Sequence, residues 1–275
     1  MTKVVLLSLT GPFAIRVGKF RQKLHIAGNT KRLLILLAAN FNHGLRRESI
    51  IAEIWPDADA RRGASSLNTA ISRLKNCLDP FPDLEIDTID DVVRMTVSSP
   101  ALVDGALLQQ AVQGTEPSEV ELSDSSRSAV ASAIGLCNGQ FLEGCDEHWV
   151  LPMRERYSAL YIRALLILMR DAAARGEFER ALECGREVLE LDPFREGTQR
   201  EVMWLYVLNG QRAQALRQYA VLRRLLREDL DIEPMAETVR LYSRIKENDA
   251  AAVNSRDRIR PMNDRTRSGD QFVQV

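Results

Sequence analysis

Three histidines (25, 43, 148) and four cysteines (77, 137, 145, 184) are the side chains of this 275-residue chain best suited to hold a metal or act as nucleophiles. Their spacing assembles neither chemistry. The cysteines form no C-x-x-C pair and the histidines no H-E-x-x-H, the close spacings from which zinc sites are usually built. Two readings of the thiols stand: reduced core cysteines, or a metal site using Cys145, His148 and a distant cysteine. G-x-S-x-G and G-x-x-x-x-G-K-[ST] are also absent. Neither a hydrolase elbow nor a phosphate-cradling loop is therefore expected. No catalytic residue, metal or cofactor is expected, and the chain is not read as an enzyme.

A different chemistry is written into residues 59–78. Leu67, Ala70, Ile71, Leu74 and Leu78 recur at helical spacing and predict a single buried stripe. At about 100° per residue, the opposite direction collects Ser65, Thr69, Ser72, Arg73 and Asn76. Arg62 lies close by, and Asn68 and Lys75 fall at the flanks. Short hydrogen-bonding side chains mixed with cations read base edges in a DNA major groove and anchor to phosphates. A plain solvated helix face presents similar types, so the setting has to decide.

That setting is basic. Residues 1–78 hold 13 Lys/Arg against 4 Asp/Glu, a net +9, whereas the other 197 residues hold 24 against 34, a net −10. The whole-chain charge of −1 hides this division. Before the amphipathic helix, Val4 to Leu9, Phe13 to Val17 and Leu24 to Ile26 alternate or run apolar between glycine breakers, which predicts a small antiparallel sheet. Thr30 is placed to cap a helix over KRLLILLAAN, and a second helix runs from near Arg47 to the stop at Pro56. LEIDTI and VVRMTV around Asp90–Asp91 predict a β-hairpin. Sheet, three helices and hairpin are the order of a winged helix, with 59–78 as its reading helix.

Gly11-Pro12-Phe13, KRLLILLAAN, RRESIIAEIWPDAD and SLNTAISRLKNCL resemble the OmpR/PhoB-type winged-helix domain, as found in the Streptomyces antibiotic regulatory protein family. The resemblance implies that Arg73 and Lys75 contact DNA. It also implies phosphate anchors at Arg46 and Arg47 and at Thr30 and Lys31, and a polymerase-facing turn over 56–60 carrying Asp57 and Asp59. The chain departs from the family pattern in two places. Asn68 stands where the family usually has Arg, which exchanges a guanine or phosphate ligand for a residue matched to adenine. The hairpin carries Asp87, Asp90 and Asp91 in place of the usual Gly-Tyr pair, so a weak wing contact borne mainly by Arg94 is expected.

Beyond Pro100 the pattern becomes helical. Helices are predicted over 103–112, 124–136, 149–175, 178–191, 196–208, 211–230 and 236–247. GEFERAL (176–182) aligns with GQRAQAL (210–216) at a shift of 34 residues, the tetratricopeptide period. Ala181 falls on Ala215 and Leu182 on Leu216, while Gly185 replaces the aromatic residue that Tyr219 supplies in the second copy. VDGALLQQAV, NGQFLEG and LREDLDIEPMAETVRLY resemble the bacterial transcriptional activation domain that follows the winged helix in the same family. Trp149, Trp204 and Tyr206 suit a ligand cage but fit core positions better.

The expected fold is therefore an α+β winged-helix domain (1–99), an all-α tetratricopeptide-like domain (100–249) and a disordered tail (250–275). The expected function is a sequence-specific activator that binds double-stranded DNA and contacts RNA polymerase, as a homodimer at least on DNA. The alternative is a protein-interaction adaptor whose winged helix does not read DNA. No apolar run approaches the roughly 18 residues of a membrane span, and MTKVVLLSL lacks the long apolar core of a signal peptide. A cytoplasmic protein without membrane contact is expected. No receiver-like segment precedes the basic part, so control by a two-component kinase is not expected.

Overall fold

The computed structural model describes residues 5–17, 20–22, 25–41, 43–98, 103–115 and 121–247. The tail expected over 250–275 lies outside the described residues. The described residues fall into two compact units, drawn from 1–112 with 132–161 and from 113–131 with 162–275.

In the first unit, β1 (Val5–Ser8), β2 (Ala14–Val17) and β3 (Phe20–Gln22) form an antiparallel sheet in that order. The third strand lies earlier than the sequence pattern suggested. Ile26 leads into a helix instead, and Leu24 is outside the described residues. The β1–β2 turn needs Gly11, whose φ is 72° and where a Cβ would stand 2.4 Å from the Asn138 carbonyl oxygen. Its N–H donates to Gln140 O at 2.8 Å, so this turn is sewn to the turn at 138–144.

Helix α1 (Gly28–Ala39) buries Leu33, Leu34 and Leu37. It begins two residues before Thr30, with Ala27 as an N-cap that makes no side-chain bond. Thr30 is thus not the cap. It sits within the first turn and is 7% exposed. A two-residue strand, β4 (Leu45–Arg46), runs directly into α2 (Arg47–Ile54), and Asp59 caps α3 (Ala60–Leu78) by accepting the Arg62 N–H at 2.8 Å. The hairpin strands β5 (Leu84–Ile89) and β6 (Val92–Val97) follow, and β4 joins them in the order β4-β6-β5. Leu9, Ile15, Leu33, Ile50, Leu67, Leu74, Val93, Met95, Phe141 and Val150 share one core.

Residues beyond 100 also build this first unit. Asp104 opens α4 (Asp104–Gln113) and is fully buried. It accepts from Leu9 N at 2.9 Å, Thr10 N at 3.0 Å, Thr10 Oγ1 at 2.7 Å and Gly105 N at 2.7 Å. These donors offset much of the cost of burying a carboxylate. Burial still pushes its pKa above the usual Asp range.

The second unit takes parts of α5 (Asp124–Leu136) and α6 (Val150–Ala174), then α7 (Phe178–Leu191), α8 (Glu196–Leu208), α9 (Arg212–Leu230) and α10 (Ala236–Glu247). Helix α7 packs on α8, α8 on α9, and α10 on both α9 and α8. The 34-residue repeat is also a backbone repeat. Gly176 and Gly210 have φ of 77° and 73°, and each follows a helix closed by the same pair of bonds. These are Glu177 N to Ala172 O with Gly176 N to Ala173 O, and Gln211 N to Tyr206 O with Gly210 N to Val207 O. This is the Schellman closure, which favours glycine in the left-handed region. Ala181 and Ala215 are both fully buried. At Gly185 a Cβ would stand 2.6 Å from Val202 Cγ2, so the missing aromatic ring is the condition for close packing of α7 on α8.

Candidate nucleic-acid interface

Helix α3 owes its orientation to its apolar side. Gly63, Leu67, Ala70, Ile71, Leu74 and Leu78 are buried, at a spacing that permits one face inward. Gly63 lets α2 approach: a Cβ there would stand 2.5 Å from Ile51 Cγ2. What remains outward is the set of residues expected to read DNA. Arg62, Ser65, Asn68, Thr69, Ser72, Arg73, Lys75 and Asn76 are all exposed. Arg61, also exposed, was not singled out from the sequence, although it extends the cationic first turn of α3.

These side chains differ in their commitments. Thr69 Oγ1 donates to Ser65 O at 3.0 Å, so its proton is already used within the helix. Arg62 lies 3.5 Å from the Asp59 carboxylate, an exposed pair that contributes little to stability. Asn68 Oδ1 accepts from the Arg47 guanidinium, which links α3 to the start of α2. The Arg47 N–H donates to Asp91 O at 2.8 Å, and Arg46 pairs with Val92. Arg46, Arg47, Asn68 and the hairpin turn are thereby brought together.

The hairpin tip is the two-residue turn Asp90–Asp91, both exposed, with Asp90 at φ 42° and Ile89 68% exposed beside it. Asp87 is instead set across from Arg94 in the strand register. Arg94 is exposed, and its guanidinium lies beside Gly44, close to Val92 at the tip end of β6.

Two expected positions fall elsewhere. Thr30, expected as a phosphate anchor, is buried because α1 starts early, so its hydroxyl is not on offer to a ligand in solvent. Lys31 is exposed but lines a cleft of about 420 Å³ with Arg21, Glu143, Asp146 and Glu147, and no α3 residue lines that cleft. Asp57 and Asp59 are exposed in the α2–α3 loop, with the Asp59 carboxylate spent on capping.

The metal alternative gains nothing. Among the described residues no group of three His, Cys, Asp or Glu is placed to hold a metal. Burial pushes the thiols of Cys137, to about 12, and of Cys145 and Cys184 upward, which keeps them protonated and poor as nucleophiles. Among the described residues no helix is long and apolar enough to cross a membrane.

Comparison with known proteins adds the family. Residues 103–246, more than half of the chain, match the bacterial transcriptional activator domain, and the chain belongs to that family. Among solved structures it is similar to Mycobacterium tuberculosis EmbR in complex with a low affinity phosphopeptide, with a TM-score of 0.73 and 17% identity. That likeness covers 90% of this chain and 66% of that one, and at such identity it shows the fold alone. No curated protein matches the chain. The family is one of transcriptional activators, and its match begins after helix α3.

Proposed function

We propose that the protein is a cytoplasmic, sequence-specific DNA-binding activator of the Streptomyces antibiotic regulatory protein type. In this reading β1–β6 and α1–α3 form a winged helix, functionally bounded near residue 99. Helix α3 enters the major groove, with Ser65, Thr69, Ser72, Arg73 and Asn76 at bases or flanking phosphates. Arg46, Arg47, Arg62, Lys75 and Arg94 hold the backbone. The acidic, tetratricopeptide-like helices serve protein contacts, pairing protomers on DNA and engaging RNA polymerase together with Asp57 in the α2–α3 loop.

The observation that carries this reading is the outward face of α3, polar and cationic along its length, on the part of the chain with net charge +9. In vitro site selection with the full chain tests it. Arg73→Ala is expected to cost about 1–3 kcal/mol of binding to the selected duplex. Selection that yields no preferred sequence, or a variant that binds as the parent does, would overturn the reading.

A further inference from the structure

Asn68 invites assignment as an adenine reader, but its surroundings give it another task. A guanidinium donates hydrogen bonds and accepts none. The Asn68 amide therefore presents its oxygen to Arg47 and turns its nitrogen away. Adenine is recognised by an amide that aims both atoms at one base edge, the oxygen accepting from N6 and the nitrogen donating to N7. With its oxygen on Arg47, the Asn68 amide is oriented by a partner within the protein rather than left free to align both atoms with one base edge.

Arg47 is correspondingly well placed to serve as an anchor. It is the first residue of α2, its N–H is held by Asp91 O at 2.8 Å, and the preceding Arg46 is fixed in β4 against Val92. Its backbone is thus fixed by the hairpin and its side chain by α3. A long cation fixed in this way loses less rotamer freedom when it meets a phosphate.

Resting on the DNA-reading function above, we propose that Asn68 is a positioning residue that holds the Arg47 guanidinium for a backbone phosphate and does not itself specify a base. The pair then acts as one contact. An arginine at position 68 would repel Arg47 and offer it no acceptor, so this pairing depends on the acceptor found here.

The test uses the full chain, its selected duplex and the variants Arg47→Ala, Asn68→Ala, the double variant and Asn68→Asp. Asn68→Ala is expected to weaken binding about threefold to tenfold, equally on all sequences, and to reduce the salt slope, as loss of one phosphate contact does. The double variant should bind within about twofold of Arg47→Ala, since the two changes remove the same contact. In the free protein, nuclear magnetic resonance of the Arg47 side chain should show restricted guanidinium rotation in the parent and in Asn68→Asp, which keeps the acceptor. Rotation should be free in Asn68→Ala. Additive losses, relaxed preference at one base position with an unchanged salt slope, or free rotation in the parent would each overturn the inference while leaving the DNA-binding reading intact. A parent protein that binds no duplex would overturn both.

Discussion

Asp59 accepts the Arg62 N–H at 2.8 Å and so starts α3, a contribution of about 1 kcal/mol for a cap of this type. Asp104 has the same side chain but no contact with water, and burial drives its pKa up even with backbone donors around it. Asp90 and Asp91 are the opposite case, exposed at the hairpin turn. If the hairpin approaches DNA, these two charges face phosphates within a Debye length of about 8 Å. Asp90→Asn/Asp91→Asn is therefore expected to bind duplex tighter, by roughly threefold to tenfold, with the largest gain at low salt. Asn is the suitable replacement because Asp90 has φ 42°, a conformation Asn tolerates better than Ala. Weaker binding by the double variant, measured by fluorescence anisotropy, would show that the tip carboxylates assist the complex.

Between α5 and α6, a buried ion network holds the helices of the second unit. Asp171 is 1% exposed and receives Arg127 Nε at 2.7 Å, Arg175 Nη2 at 3.0 Å and Leu122 N at 2.8 Å. Burial alone would raise its pKa, but these donors outweigh it and hold the carboxyl below its ordinary value of 3.8. A depressed folded pKa gives stability that is complete above the unfolded value and is lost as pH falls through the folded one. Relative to Asp171→Asn, the parent should be more stable by on the order of 2 kcal/mol at neutral pH. The advantage should start to shrink near the ordinary Asp value and decline further in more acidic buffer. Denaturant unfolding between neutral and acidic pH checks this, and an advantage that grows on acidification would contradict the network. Two close helix contacts depend likewise on single glycines. Gly63 admits Ile51 of α2, and Gly185 admits Val202 of α8.

Over the whole molecule, charge divides at the end of α3, inside the part proposed to bind DNA, because the hairpin that follows is acidic. The first 78 residues hold 13 cations and 4 anions, and the rest of the chain 24 and 34. A basic segment that neutralises roughly four to six phosphates releases that many counterions, and the logarithm of affinity then falls with the logarithm of salt at a slope of about −4 to −5. For the full chain on its selected duplex, affinity should drop roughly 10²–10³-fold between about 50 and 200 mM salt. A slope near zero would remove DNA from the account and favour an adaptor that binds only proteins.

The amphipathic helix α3, the charge division and the 34-residue repeat were all legible in the sequence. Periodicity and composition are properties of neighbouring residues, and the buried stripe of α3 needs no distant partner to be recognised. Other features required the folded chain. Thr30 is buried because α1 begins at Gly28, where neither residue type nor spacing marks a cap. The third strand fell at Phe20–Gln22 because pairing with β2, not local alternation, selects it. The turn at 138–144 joins the first unit through bonds such as Leu142 N to Leu9 O, and Asp104 reaches Leu9 across 95 residues. Arg47 and Asn68 meet across 21 residues. Sequence by itself decided which helix face is free, because burial of a periodic stripe is local physics. Tertiary structure alone decided which side chains on that face are committed, because a hydrogen bond depends on where the chain brings its partner.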